Sequence, residues 1–147
     1  MDTVFVSFDY ENDKKYKYLL EAWHKNPKFN FTFEDGTPTE INSENVGRVK
    51  AALTTKVKTA NTTLVLIGKH VNERHRHSTL IGFKNWINFE IARSIENGNR
   101  LAIVMLERGN ELPDELRGAE YSIAYSFTEE SVMAALRDAP YQLRRYG

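Results

Sequence analysis

Trp86 and Glu90 stand four residues apart in the middle of the chain, inside Phe83-Lys84-Asn85-Trp86-Ile87-Asn88-Phe89-Glu90-Ile91-Ala92-Arg93-Ser94-Ile95. That spacing puts an indole and a carboxylate on one face of a helix. Phe83, Ile87, Ile91 and Ile95 form an apolar stripe on the same wheel. Glu90 falls between Trp86 and Ile87, at the edge of the buried side. A carboxylate there is either half of a structural ion pair, with Arg93 or Lys84 as the partner, or a site residue. A second group, His70, Arg74, His75, Arg76 and His77, crowds a polar loop over 69–82. Three histidines can ligate a metal, but no cysteine stands nearby and no helical H-E-x-x-H spacing occurs, so a solvated loop without metal is the expectation. A third group, Asp9-Tyr10-Glu11-Asn12, follows the first apolar run; Asp9 there either caps a helix or serves a site.

The chain has 147 residues and a formal net charge of zero, from 20 basic and 20 acidic residues. This length suits a single domain over 1–147 with a core of its own. Balanced charge argues against a dedicated nucleic-acid binder. No run approaches the roughly 20 apolar residues of a membrane span, and the start shows no basic and apolar leader. Cysteine is absent, which removes disulfides, thiolate chemistry and sulfur-ligated zinc. A cytoplasmic location is expected.

The elements that must position these groups follow from periodicity. Thr3–Phe8 is a nearly continuous apolar run, the mark of a strand covered on both faces. From Asp13 a helix is expected, with Tyr16, Leu19, Leu20 and Trp23 as its stripe, ended by Asn26-Pro27. Phe29-Asn30-Phe31-Thr32-Phe33 alternates strictly and suits a sheet edge. Asn42 or Ser43 can cap a second helix with Val46, Val49, Leu53 and Val57 inward. Thr62–Ile67 and Leu101–Leu106 read as buried strands, with the Trp86 helix between them closed by Asn97-Gly98. Tyr121–Tyr125 is a last strand and Glu129–Arg137 a last helix, with a basic tail from Pro140.

Such β/α alternation predicts a parallel sheet with helices on both faces. The expected fold is α/β, a flavodoxin-like three-layer sandwich with a five-stranded parallel sheet in the order 2-1-3-4-5. Ligands of such sheets gather at the carboxyl ends of the strands, near the switch between strands one and three. Several occupants are disfavoured. The loop after the first strand is acidic and lacks glycine, unlike a flavin-phosphate cradle. Neither G-x-G-x-x-G nor G-x-x-x-x-G-K-[ST] occurs, and the third strand ends in Gly68-Lys69-His70, with no phosphate-accepting aspartate.

Taken together, the motifs resemble a TIR-like domain. The likeness is closest to the family of the Thoeris antiphage-defence sensor ThsB. It rests on Val4-Phe5-Val6-Ser7-Phe8-Asp9-Tyr10-Glu11-Asn12-Asp13, on Leu19-Leu20-Glu21-Ala22-Trp23, on Ile41-Asn42-Ser43 and on Asn85-Trp86-Ile87-Asn88-Phe89-Glu90-Ile91. It extends from residue 3 to about 137.

The resemblance implies cleavage of the nicotinamide–ribose bond of NAD, with NAD as substrate and no further cofactor, often yielding a cyclised ADP-ribose messenger. It implies Glu90 as the catalytic residue, with Phe5, Ser7, Phe8, Asp9, Asn42 and Trp86 around the substrate. It also implies assembly into a homo-oligomer on activation, and signalling through a small molecule to a separate NAD-consuming effector, with no nucleic acid or membrane partner. Nicotinamide leaves as a neutral molecule, so one carboxylate suffices where a glycosidase needs two. The pyrophosphate needs cations, and Lys14, Lys15, Lys69, Arg74 and Arg76 are candidates, as is a neighbouring subunit. Two other functions fit the same residues: a non-catalytic assembly module, and a regulator that binds NAD or a derived messenger without cleaving it.

Overall fold

The computed structural model describes residues 2–25, 31–34 and 45–142. Asn42, Ser43, the loop from Asp35 and the tail beyond Gln142 lie outside these residues. Five strands, β1 (Asp2–Ser7), β2 (Phe31–Glu34), β3 (Thr62–Ile67), β4 (Arg100–Met105) and β5 (Ser122–Ala124), form one sheet in the order β2-β1-β3-β4-β5. Every neighbouring pair is parallel. The helices are α1 (Tyr10–His24), α2 (Val46–Thr59), a short α3 (Ser78–Ile81), α4 (Trp86–Glu96) and α5 (Glu129–Asp138), and a 3-10 turn spans Asp114–Leu116.

Alternation along the strands divides the core in two. Val4, Val6 and Phe8 point with Leu64, Leu66, Ala102 and Val104 toward α1 and α5, meeting Leu20, Val132, Ala135 and Leu136. On the other face Phe5 packs against the α2 stripe of Val46, Val49, Leu53 and Val57, and against Phe89 of α4. Beside it Val65, Ile67, Leu101 and Ile103 meet Ile87 and Ile91. The sheet is therefore the middle of three layers, its inner strands dry on both sides.

Several element bounds differ from expectation, each for a local reason. α1 starts at Tyr10, three residues earlier than Asp13, because Asp9 caps it by accepting from the amides of Glu11 and Asn12. Acidic Glu11 and Asp13 in its first turn suit the positive end of the helix dipole. Leu19 flanks the Tyr16–Leu20–Trp23 stripe and is 45% exposed, against 1% for Leu20. α2 is capped by Asn45, whose side chain accepts from the Arg48 amide. α4 begins at Trp86: Asn85 is fully extended and accepts from the Asn88 amide. Phe83 thus lies before the helix and packs edge-on to Phe89, leaving Ile87, Ile91 and Ile95 as the stripe. At the far end Gly98 takes the left-handed φ of 76° that a helix terminus asks of glycine.

A buried polar ladder ties α4 to β3. Asn99 Nδ2 donates to Val57 O and to Thr63 Oγ1, Thr63 and Ser94 share a hydroxyl contact of 2.7 Å, and Ser94 Oγ donates to the Glu90 carbonyl at 2.8 Å. Since Ser94 spends its proton on Glu90, Thr63 must donate to Ser94, and the chain of donors has one direction. Thr63→Val keeps the shape and removes the middle hydroxyl. It is expected to lower the unfolding free energy by roughly 1–3 kcal/mol, read by urea denaturation; an unchanged midpoint would show that the ladder contributes nothing.

Candidate functional site

Ser7 ends β1 and Phe8 to Asn12 turn into α1, so this turn stands at the carboxyl edge of the sheet. A cleft of about 380 Å³ opens there. This falls at the lower end of the roughly 300–1,000 Å³ of small-molecule sites. The turn from Phe8 to Asn12 forms one part of its wall and His70 with the segment from Glu73 to His77 another, and Asn85, Trp86, Ile87 and Glu90 line it around the α4 start, with Val46 at the α2 start. Gly68 helps to shape this edge. A Cβ there would collide with the Asp13 carboxylate, so glycine lets the first turn of α1 lie against the end of β3. Burial and the neighbouring Asp9 charge push the Asp13 carboxyl above its ordinary range, while His70 pulls it down.

Glu90 is the buried acid of the cleft. It is 5% exposed, and Ser7 Oγ donates to its Oε1 at 2.6 Å. The contact is built by register. Ser7 pairs with Val65 and Phe5 with Thr63, so Ser7 and Thr63 share the α4 face two residues apart along the strands. One helical turn spans about the same distance, which sets Glu90 over Ser7 and Ser94 over Thr63. Lys84 pairs with Asp114 and Arg93 with Glu96, so neither makes the ion pair with Glu90 that a structural acid would call for. Removed from water, the Glu90 carboxyl is pushed up to about 8, with the Ser7 hydrogen bond pulling the other way.

The other residues singled out by sequence take different places. Asp9 caps α1 and lines the cleft, Phe8 and Trp86 line it, and Trp86 stands edge-on to Phe89 and to His75. Ser7 is fully buried and reaches the cleft through Glu90. Phe5, 1% exposed, belongs to the core under α2 and does not line the cleft. Asn42 lies outside the described residues. His70 pairs with Glu73 at 2.8 Å, and the His75 ring nitrogen accepts from the His77 amide.

Asn85 is the residue whose part was not foreseen. Its Oδ1 caps α4, accepting from the Asn88 amide and side chain, and its Nδ2 donates to the carbonyls of Val71 and Glu73. The His75 amide adds a bond to the Lys84 carbonyl. Its sequence signal is an asparagine directly before an apolar helical run.

Two solved structures share this architecture. One is a 2-deoxyribosyltransferase from Bacillus psychrosaccharolyticus, 12% identical, covering 88% of this chain and 90% of its own with a TM-score of 0.57. The other is a prokaryotic SEFIR domain, 13% identical, covering 94% and 95% with a TM-score of 0.56. At such identities the likeness is one of fold. The molecule thus has the α/β fold that these two structures share. No curated relative matches the chain. Within that fold it belongs to the family of the Thoeris protein ThsB, TIR-like domain, whose pattern matches residues 5–111, from β1 past β4 and across Ser7, Asn85 and Glu90. Among the described residues no helix is long and apolar enough to cross a membrane.

A raised carboxyl makes stability depend on pH. Between the ordinary value of 4.5 and about 8, folded Glu90 keeps a proton that the unfolded chain releases. Stability therefore falls as pH rises through this window, by up to about 1.4 kcal/mol per pH unit, and levels off above it. Glu90→Gln keeps an acceptor for Ser7 and lacks the titration. The variant should gain on the wild type from pH 5 to 8 in urea denaturation. Parallel pH profiles would show that Glu90 titrates normally.

Proposed function

We propose that this protein cleaves the nicotinamide–ribose bond of NAD and passes the ADP-ribosyl group on, to water or to the adenine of the same molecule. The product is then an ADP-ribose-type signal, cyclic in the second case, in antiphage defence of the Thoeris kind. The observation that carries this reading is the Glu90 carboxyl, buried at the cleft with Ser7 as its hydrogen-bond partner and no cation paired to it among the described residues.

The chemistry fits one carboxylate. As the glycosidic bond breaks, its electron pair goes to the pyridinium nitrogen and nicotinamide departs neutral. Positive charge passes to the ribose, and an ionised Glu90 stabilises that oxocarbenium character in a site with little water to screen it. A water or adenine nitrogen then bonds to the ribose carbon and loses a proton where it carries one. Glu90 rests mostly neutral near pH 7. A cationic nicotinamide ring beside it lowers its pKa, as an opposite charge within about 4–6 Å does, so substrate brings out the ionised form. Ser7 is a positioning residue, fixing one carboxyl oxygen. Trp86 and Phe8 offer ring faces and exclude water. Completion of the site by a second copy on assembly belongs to this reading.

Nicotinamide release from NAD tests it, for wild type and Glu90→Gln, alone and with lysate of phage-infected cells. Release should fall at least 100-fold in the variant. In the wild type kcat/KM should rise about tenfold per pH unit below 8 and level off above, since it reports the free enzyme and only ionised Glu90 is active. Equal release by both proteins would remove Glu90 from the chemistry. No release under either condition would leave a non-catalytic assembly module in its place.

A further inference from the structure

Two parts of the cleft wall carry opposite chemistry. The turn after β1 brings Asp9 and Glu11, and α4 brings Glu90; the segment after β3 brings Arg74 and Arg76 together with three histidines. The five basic residues that sequence offers for the substrate's phosphates are sorted by this arrangement. Lys14 lies over the Tyr10 ring at 5.8 Å, Lys15 over the Tyr16 ring at 5.1 Å, and Lys69 pairs with Glu107 at 3.4 Å. None of the three lines the cleft, whereas Arg74 and Arg76 do. Arg74 Nη1 donates to Ser78 Oγ at 3.4 Å, and Glu73 on the same segment pairs with His70.

The backbone beneath these arginines is anchored. Asn85 holds the carbonyls of Val71 and Glu73, the Lys84 carbonyl holds the His75 amide, and Asn72 bonds the Leu112 carbonyl and the Asp114 amide. Guanidinium groups on a fixed loop lose less freedom on binding and can grip phosphate oxygens in pairs. Asp9 and Glu11 on the turn after β1 repel phosphate, so a ligand carrying both a cationic ring and phosphates is favoured with its phosphates toward Arg74 and Arg76.

We propose that Arg74 and Arg76 form the anion-binding half of the cleft, holding the phosphates of a substrate whose cationic ring lies over Glu90. This rests on the NAD reading for the ring and on the arginine wall for the phosphates. Isothermal titration on the Glu90→Gln background, where turnover does not interfere, tests it with NAD, with nicotinamide riboside and with inorganic pyrophosphate. Adding Arg74→Gln and Arg76→Gln should weaken NAD at least tenfold and leave the riboside within twofold. It should also flatten the salt dependence of binding, because fewer phosphate charges are then neutralised. Arg74→Lys with Arg76→Lys should restore part of the affinity, which guards against a merely misfolded loop. Lys14→Gln with Lys15→Gln should change NAD affinity less than twofold.

NAD binding that survives the double glutamine change, or an equal loss for NAD and riboside, overturns the arginine assignment while the NAD reading stands. Arginine-dependent binding of pyrophosphate without binding of NAD overturns the NAD reading and keeps the anion wall. A parent protein that binds none of the three ligands overturns both.

Discussion

An acid taken out of water constrains everything around it. Glu90 sits on a helix whose neighbouring positions, Ile87, Phe89 and Ile91, fill the core, and its carboxyl has lost most of its hydration. The fold supplies a hydroxyl from β1 in return, and it can do so only while α4 keeps one register over the sheet. The Asn99–Thr63–Ser94 ladder holds that register from the other end of the helix. A slip of β1 by one residue against β3 would turn Ser7 away from α4 and bring Val6 or Phe8 under it instead. The hydrophobic clusters decide that the helix packs there, and the polar contacts decide where along the strands it stops.

The parallel α/β alternation was open to the sequence because buried strands and amphipathic helices have distinct periods, and the α2 stripe and the Asn97-Gly98 ending follow that logic closely. The carboxyl edge was likewise legible, since the β1 exit and the α4 start must meet there in such a sheet. Less legible were boundaries set by side-chain caps. Asp9 could have served as cap or site residue, and it both caps α1 and lines the cleft. Phe83 looked like part of the α4 stripe because it keeps the four-residue spacing, but the extended Asn85 intervenes. Phe5 shows the limit of carrying a pocket residue over by motif. Strand alternation fixes its face, but whether α2 covers that face depends on a packing partner far away in the chain.

Fold likeness alone would have left the function open. A 2-deoxyribosyltransferase and a SEFIR domain share the layout at 12% and 13% identity, and one scaffold hosts many tasks. Family membership narrows the class, and the local chemistry then separates residues that a motif treats alike. Ser7 bonds Glu90, Trp86 and Phe8 line the cleft, and Lys14 and Lys15 of α1 lie over tyrosine rings and do not line it.

Asn85 has a further consequence. One planar amide caps α4 with its oxygen and bonds the backbone of Val71 and Glu73 with its nitrogen, and a planar group cannot turn one end without turning the other. The segment and the helix therefore share a single mechanical coordinate. A shift of the backbone at Val71 and Glu73 is thus felt through Asn85 at the first turn of α4, one turn before Glu90.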